Sequence, residues 1–145
     1  MGTATAERDV SRGASSARTI MVVEDDPGMR AVLREVLTDE GFQVHEEPGP
    51  DRVPAAVERI RPRAIVLDRE LPGSNGIELL ATLARRHPGI PVLVITSFGG
   101  ATVRAEAIRA GAAAYLEKPF RMAMLLDTLR AITEKRTVAR EALDA

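Results

Sequence analysis

Four apolar runs in this chain each empty into residues that could handle a hard cation or a phosphoryl group. Thr19 to Val23 ends in Glu24-Asp25-Asp26, Ala64 to Leu67 in Asp68, Pro91 to Ile95 in Thr96-Ser97, and Ala112 to Leu116 in Glu117-Lys118-Pro119. Carboxylates brought within a few ångströms of one another disfavour joint ionisation, and a divalent cation is the natural remedy. With no His or Cys beside them, the oxygen donors suit a hard ion such as Mg²⁺, which takes few carboxylates and keeps waters for a phosphate oxygen. Lys118 offers a point positive charge and Thr96 a hydroxyl donor, both suited to phosphoryl oxygens. Asp68 would then be the acceptor, since carboxylates do act as nucleophiles in phosphoryl transfer. The plainer reading of Asp68 is a turn cap, and the stretch by itself leaves both open.

These side chains can meet only if the runs are neighbouring strands that point the same way. The unbroken apolar character of the first three runs suits central strands of a parallel sheet covered on both faces. Phe42 to His45 alternates and suits an edge. Helical spacing follows each strand: Met29, Val32, Leu33, Val36 and Leu37 after Pro27, with Asp26 as N-cap; Val53, Ala56, Val57 and Ile60; Leu79, Leu80, Leu83 and Ala84; Ala101 to Ala110, capped by Gly111; and Met122, Leu125, Leu126, Leu129 and Ile132. Alternation of five strands with five helices predicts an α/β, doubly wound, five-stranded parallel sheet. Right-handed crossovers favour the flavodoxin-like order 2-1-3-4-5, which sets the first and third strands side by side and gathers the polar strand ends at one lip.

The 145 residues suit one domain, expected over residues 19–134, with 1–18 a disordered tail and 135–145 a helix end or linker. A formal net charge of -1 gives no basic field for a nucleic-acid backbone, and no segment is apolar enough to span a membrane. The absence of cysteine excludes disulfides and thiol chemistry, and no signal peptide precedes the domain, so a cytoplasmic protein is expected. His45 and His87 read as solvated.

Taken together, Val22-Val23-Glu24-Asp25 with Arg30, Asp68-x-x-Leu71-Pro72-x-x-x-Gly76, Thr96-Ser97 and Tyr115-Leu116-Glu117-Lys118-Pro119-Phe120 resemble the receiver domain of two-component response regulators, over roughly Arg18 to Ile132. The resemblance implies that Asp68 accepts a phosphoryl group from a histidine of a sensor kinase or phosphotransfer protein in a phosphorelay. It implies that Glu24, Asp25, Asp68 and the main-chain oxygen of Glu70 hold Mg²⁺, that Lys118 contacts the phosphoryl group, and that Thr96 and Tyr115 form a switch. It further implies a cis Lys118-Pro119 bond and output through the face of the fourth helix, fifth strand and fifth helix, to an output domain, a partner or a second copy in a homodimer. Such a protein is a signalling phospho-acceptor, with at most self-directed phosphotransfer and autodephosphorylation. Glu70 and Phe98 are expected to flank the phosphoryl site and govern the access of water. The first acid of the pair is Glu where Asp is the commoner choice, which keeps the charge.

Three other functions compete. A flavin-binding flavodoxin shares the fold, but an acidic loop after the first strand would repel the flavin phosphate. A Mg²⁺-dependent phosphatase with an aspartyl-phosphate intermediate would need a cap or a larger pocket than this length allows. A receiver-like interaction module that works without phosphorylation has no need of Glu24, Asp25, Asp68, Thr96 and Lys118 together. The chain is expected to be a stand-alone receiver or the front end of a longer regulator.

Overall fold

The computed structural model describes residues 18–144, with side chains to Glu134. The expected tail therefore lies outside the described residues, apart from Arg18. That guanidinium donates to the carbonyl of Gly41 at 3.1 and 2.9 Å. The strands are β1 (Thr19–Val23), β2 (Gln43–Glu47), β3 (Ala64–Asp68), β4 (Val92–Thr96) and β5 (Ala114–Glu117). Between and after them run α1 (Pro27–Asp39), α2 (Val53–Ile60), α3 (Gly76–Arg86), α4 (Ala101–Ala110) and α5 (Met122–Asp144). All pairings are parallel and the strand order is β2-β1-β3-β4-β5, the flavodoxin-like arrangement.

The alternation along the strands explains the two layers of helices. Met21, Val23, Ile65, Leu67, Val92 and Val94 face one way and pack with Val53 and Val57 of α2, Leu80 and Leu83 of α3 and Ala107 of α4. Ile20, Val22, Ala64, Val66, Leu93 and Ile95 face the other way, against Leu33 and Leu37 of α1 and Leu125 and Leu129 of α5. Successive strand side chains point to opposite faces, so a strand covered on both sides can carry no polar residue until it ends. β1, β3 and β4 are buried at every position, whereas β2 and β5 are partly exposed edges.

Two strand boundaries differ by two residues from the sequence-based expectation. β2 continues to Glu47 because the ladder with β1 runs on, pairing Val22 with Glu46 and Val23 with Glu47. β5 begins at Ala114, since the residues before it are engaged in ending α4: Gly111 takes a left-handed φ of 114° and the Ala112 N–H donates to Ala107. His87 is also a correction. It is only 7% exposed, caps α3 through its N–H to Leu83, and holds Nε2 3.4 Å from Glu58 Oε1. His45 is half-buried rather than solvated, with Nε2 2.6 Å from Glu47 Oε2.

The turn that carries β3 into α3 is unusually tight. The Gly76 N–H donates to Arg69 O at 3.2 Å, and a Cβ on Gly76 would lie 2.6 Å from that same oxygen and 2.8 Å from Arg69 Cα. Backbone cannot yield as a flexible side chain can. We therefore predict that Gly76→Ala destabilises the protein by about 1–3 kcal/mol, the usual range for overpacking. Gly49→Ala, where nothing lies within 4 Å of the added carbon, is the control and should stay within about 0.5 kcal/mol. Urea unfolding of both variants is the measurement, and equal midpoints would dispose of the prediction.

Candidate functional site

Register decides which strand ends meet. β1 and β3 pair Val23 with Leu67, so the residue after each, Glu24 and Asp68, falls side by side at the carboxyl lip. β4 and β5 pair Thr96 with Glu117, and the Lys118 N–H donates to Thr96 O at 2.7 Å, fixing where the lysine leaves the sheet. The Lys118-Pro119 bond is cis, as the resemblance implies. From there the ammonium spans three strands. Nζ donates to Glu24 Oε1 at 2.9 Å and to Asp68 Oδ2 at 3.1 Å.

The two readings of Asp68 hold at once. Its Oδ1 accepts the Glu70 N–H at 2.8 Å, as a turn cap would, while Oδ2 takes Lys118. Asp26 caps α1 by accepting the Met29 N–H at 3.1 Å, and its own N–H donates to Glu24 Oε2. Arg30 reaches back from α1 to donate to the carbonyls of Glu24 at 2.9 Å and Asp25 at 3.3 Å. Its Nε lies 3.4 Å from Glu46 of β2. Arg30 thus fixes the acidic loop from behind, which its spacing after Asp25 alone does not show.

Glu24, Asp25 and Asp68 each present a carboxylate oxygen within 4.8 Å of the other two. Glu24 and Asp68 are almost wholly buried, at 1% and 2% exposure. Two of the three share one ammonium, that of Lys118. Burial first, and the neighbouring Asp68 second, push the Glu24 carboxyl up to about 7 against the pull of Lys118. Burial works to lower the Lys118 pKa, but its bonds to Glu24 and Asp68 outweigh this and leave it raised. Surplus negative charge on hard oxygens is the condition a divalent cation relieves, so this donor set fits one.

Thr96 and Tyr115 stand further along the lip. Thr96 is fully buried; its hydroxyl donates to Glu70 Oε2, and the Phe98 N–H donates to Thr96 Oγ at 3.0 Å. The Tyr115 hydroxyl points outward and donates to Glu117 Oε1 at 3.3 Å, with burial and then Glu117 raising its pKa. Phe98 is 64% exposed. The sequence places Glu70 beside the site but does not show its bonds to Thr96 and Ser97, and it gives Glu117 no role. Glu117 Oε1 also accepts the Gly100 N–H at 3.1 Å, and a Cβ on Gly99 would strike that carboxylate at 2.2 Å. The glycine pair after Phe98 was the available signal.

Residues 20–130 match the response regulator receiver domain family. The chain belongs to that family. It is 39% identical over 128 residues to the transcriptional regulatory protein TcrA of Mycobacterium tuberculosis, covering 88% of this chain and 51% of the relative. It is 36% identical over 121 residues to the nitrogen assimilation regulatory protein NtrX of Azorhizobium caulinodans, covering 82% of this chain and 26% of the relative. This receiver chain therefore spans about half, or less, of the length of these curated relatives. Among solved structures, NtrX of Brucella abortus superposes with a TM-score of 0.81 at 32% identity, over 87% of this chain and 29% of that one. The BeF3-activated receiver domain of Klebsiella pneumoniae RstA gives 0.75 at 30%, over 79% and 97%. A CheY-like receiver domain from Methanospirillum hungatei shares the fold, with a TM-score of 0.80 at 24%, over 84% and 98%.

The raised Glu24 pKa has a consequence for stability of the metal-free receiver. The folded protein keeps this proton up to about pH 7 while the reference value is 4.5. Folded protein therefore binds more protons than unfolded chain across that window, and stability falls as pH rises through it. Glu24→Gln removes the titration. In EDTA, its stability relative to wild type should climb between pH 5 and pH 8, by about 1–3 kcal/mol. A difference that stays flat with pH in urea titrations would contradict this.

Proposed function

We propose that this receiver takes a phosphoryl group on Asp68 from a phosphohistidine of a sensor kinase or phosphotransfer protein and uses it to bias the face formed by α4, β5 and α5. What supports the reading best is the convergence of Lys118 on Asp68 and Glu24 inside the acidic pocket. An Asp68 oxygen attacks phosphorus, the P–N bond breaks, and the imidazole nitrogen leaves and takes up a proton. The acyl phosphate that results adds negative charge where an ammonium, a hydroxyl and a backbone N–H already stand.

Glu24, Asp25, Asp68 and the main-chain oxygen of Glu70 would hold Mg²⁺, which when bound offsets charge on the phosphoryl oxygens. Lys118 neutralises a further phosphoryl oxygen. Phosphoryl transfer asks a protein mainly for position and charge compensation, and these residues supply both. Arg30 keeps the acidic loop from moving, because it is bonded to two successive carbonyls in that loop.

Thr96 would turn its hydroxyl toward the phosphoryl group, and Tyr115 would leave Glu117 for the space Thr96 frees. Such a pair gives two discrete arrangements whose balance phosphorylation shifts. We assign output to contact of this face with an output domain, a downstream protein or a second copy of the chain. Residues 19–134 form the receiver unit in this reading, and we place it in the cytoplasm. No helix among the described residues is long and apolar enough to cross a membrane.

Two measurements test this. Incubation with Mg²⁺ and acetyl phosphate should add one phosphate mass to the wild type and none to Asp68→Ala, and EDTA should abolish the gain; modification of both proteins alike would overturn the assignment. Phe98 stands two residues beyond Thr96, with its N–H on the Thr96 hydroxyl and its side chain mostly exposed. Phe98→Ala should let water reach the acyl phosphate and shorten its half-life by about twofold or more. An unchanged half-life after donor removal would exclude a shielding role.

A further inference from the structure

The Glu70 carboxylate occupies donors that the proposed reaction needs. Its Oε2 accepts the Thr96 hydroxyl and its Oε1 accepts the Ser97 N–H at 2.6 Å. These donors belong to the last residue of β4 and the next residue of the chain, at the same lip as Asp68. A hydroxyl has one proton to give, and so has a backbone N–H. Neither can serve Glu70 and a phosphoryl oxygen at once.

A place for the displaced carboxylate exists next door. Arg69 Nη1 lies 3.5 Å from Glu70 Oε2, beyond a good hydrogen bond but close enough for charge attraction. Arg69 Nε is the one buried side-chain nitrogen or oxygen among the described residues found without a hydrogen-bond partner. Its other terminal nitrogen lies 3.8 Å from Glu106 of α4. The guanidinium therefore has donor capacity to receive Glu70 and a link to the helix that follows the switch loop.

We propose that Glu70 is a positioning residue that acts through Thr96: its carboxylate is an internal competitor that holds the Thr96 hydroxyl and the Ser97 N–H until a phosphoryl group on Asp68 displaces it toward Arg69. The proposal rests on the phospho-acceptor reading and adds to it a resident anion that opposes the switch. Like charge strengthens the competition, because a carboxylate left beside an acyl phosphate costs free energy that its move to Arg69 relieves. Neutralising or shortening residue 70 should make phosphorylation easier.

The test uses the full chain with Mg²⁺ and acetyl phosphate, following initial rates by intact mass for wild type, Glu70→Gln, Glu70→Ala and the same changes combined with Thr96→Val. We expect the second-order rate constant to rise about three- to tenfold in both single variants, the effect of losing a charge-assisted contact or two. In the Thr96→Val background the gain should shrink to under about twofold, since the principal donor in dispute is gone. A merely structural role for Glu70 would not depend on that hydroxyl. Rates equal to wild type in both single variants would overturn the competition while leaving Asp68 as acceptor. A gain of the same size with Thr96→Val would overturn it in favour of simple repulsion of the donor. No phosphate on Asp68 in any chain would remove the underlying reading and this proposal with it.

Discussion

One ammonium serves more carboxylates than it can neutralise, and the rest of the structure is arranged to keep it there. Lys118 reaches from the end of β5 past the end of β4 to Asp68 at the end of β3 and to Glu24 just after β1, so one side chain ties together strand ends far apart in the chain. A buried pair with good geometry roughly balances its desolvation cost, but a surplus acid does not. Burial first, and the Asp68 carboxyl beside it second, push the Glu24 carboxyl up to about 7. The fold stores an unsatisfied electrostatic demand at its lip, and only an added cation or proton answers it.

Keeping such a cluster together takes rigidity beneath it. Every residue of β1, β3 and β4 is buried, and helices pack on both faces, so the strand ends cannot drift apart to relieve their repulsion. The turns are stiffened as well. Arg30 pins the acidic loop by its carbonyls, Asp68 caps its own turn, and Gly76 lets α3 start against Arg69 with no room to spare. Repulsion that a looser scaffold would dissipate by moving is held here as a perturbed pKa and affinity for positive charge.

Much of this was legible in the sequence because it depends on pattern. Unbroken runs such as Ile65-Val66-Leu67 suit central strands of a covered sheet, and strand order then brings Glu24, Asp25, Asp68, Thr96 and Lys118 to a common lip. What stayed hidden depends on side-chain reach. Glu70 follows β3 and Glu117 ends β5, both exposed-type residues, and nothing in their spacing says that each bends back to hold the loop between β4 and α4. His87 follows a helix and precedes Pro88-Gly89, a context that reads as solvent; only the packing of α2 beside α3 buries it near Glu58. Strand ends slipped by about two residues for a related reason: the ladder with β1 extends β2, and the α4 cap delays β5, both being contacts between segments distant in sequence.

The loop between β4 and α4 is held from two sides by carboxylates, and this would give the proposed switch a physical form. Glu70 takes its beginning, at Thr96 and Ser97, and Glu117 its end, at Gly100, where α4 starts. A carboxylate at a helix N-terminus is favoured by the exposed N–H groups and the helix dipole. Glu117 also accepts from the Tyr115 hydroxyl, so the tyrosine and the helix start share one anchor. If Thr96 turns away from Glu70, the near end of the loop is freed; if Tyr115 turns inward, Glu117 loses one of its two donors and holds the far end less firmly. Gly99 is what allows this, because any side chain there would occupy the space of the Glu117 carboxylate. A rigid sheet that fixes the chemistry and a short loop restrained only by replaceable hydrogen bonds divide the work, so a change of charge at Asp68 can reach α4 with the core left as it is.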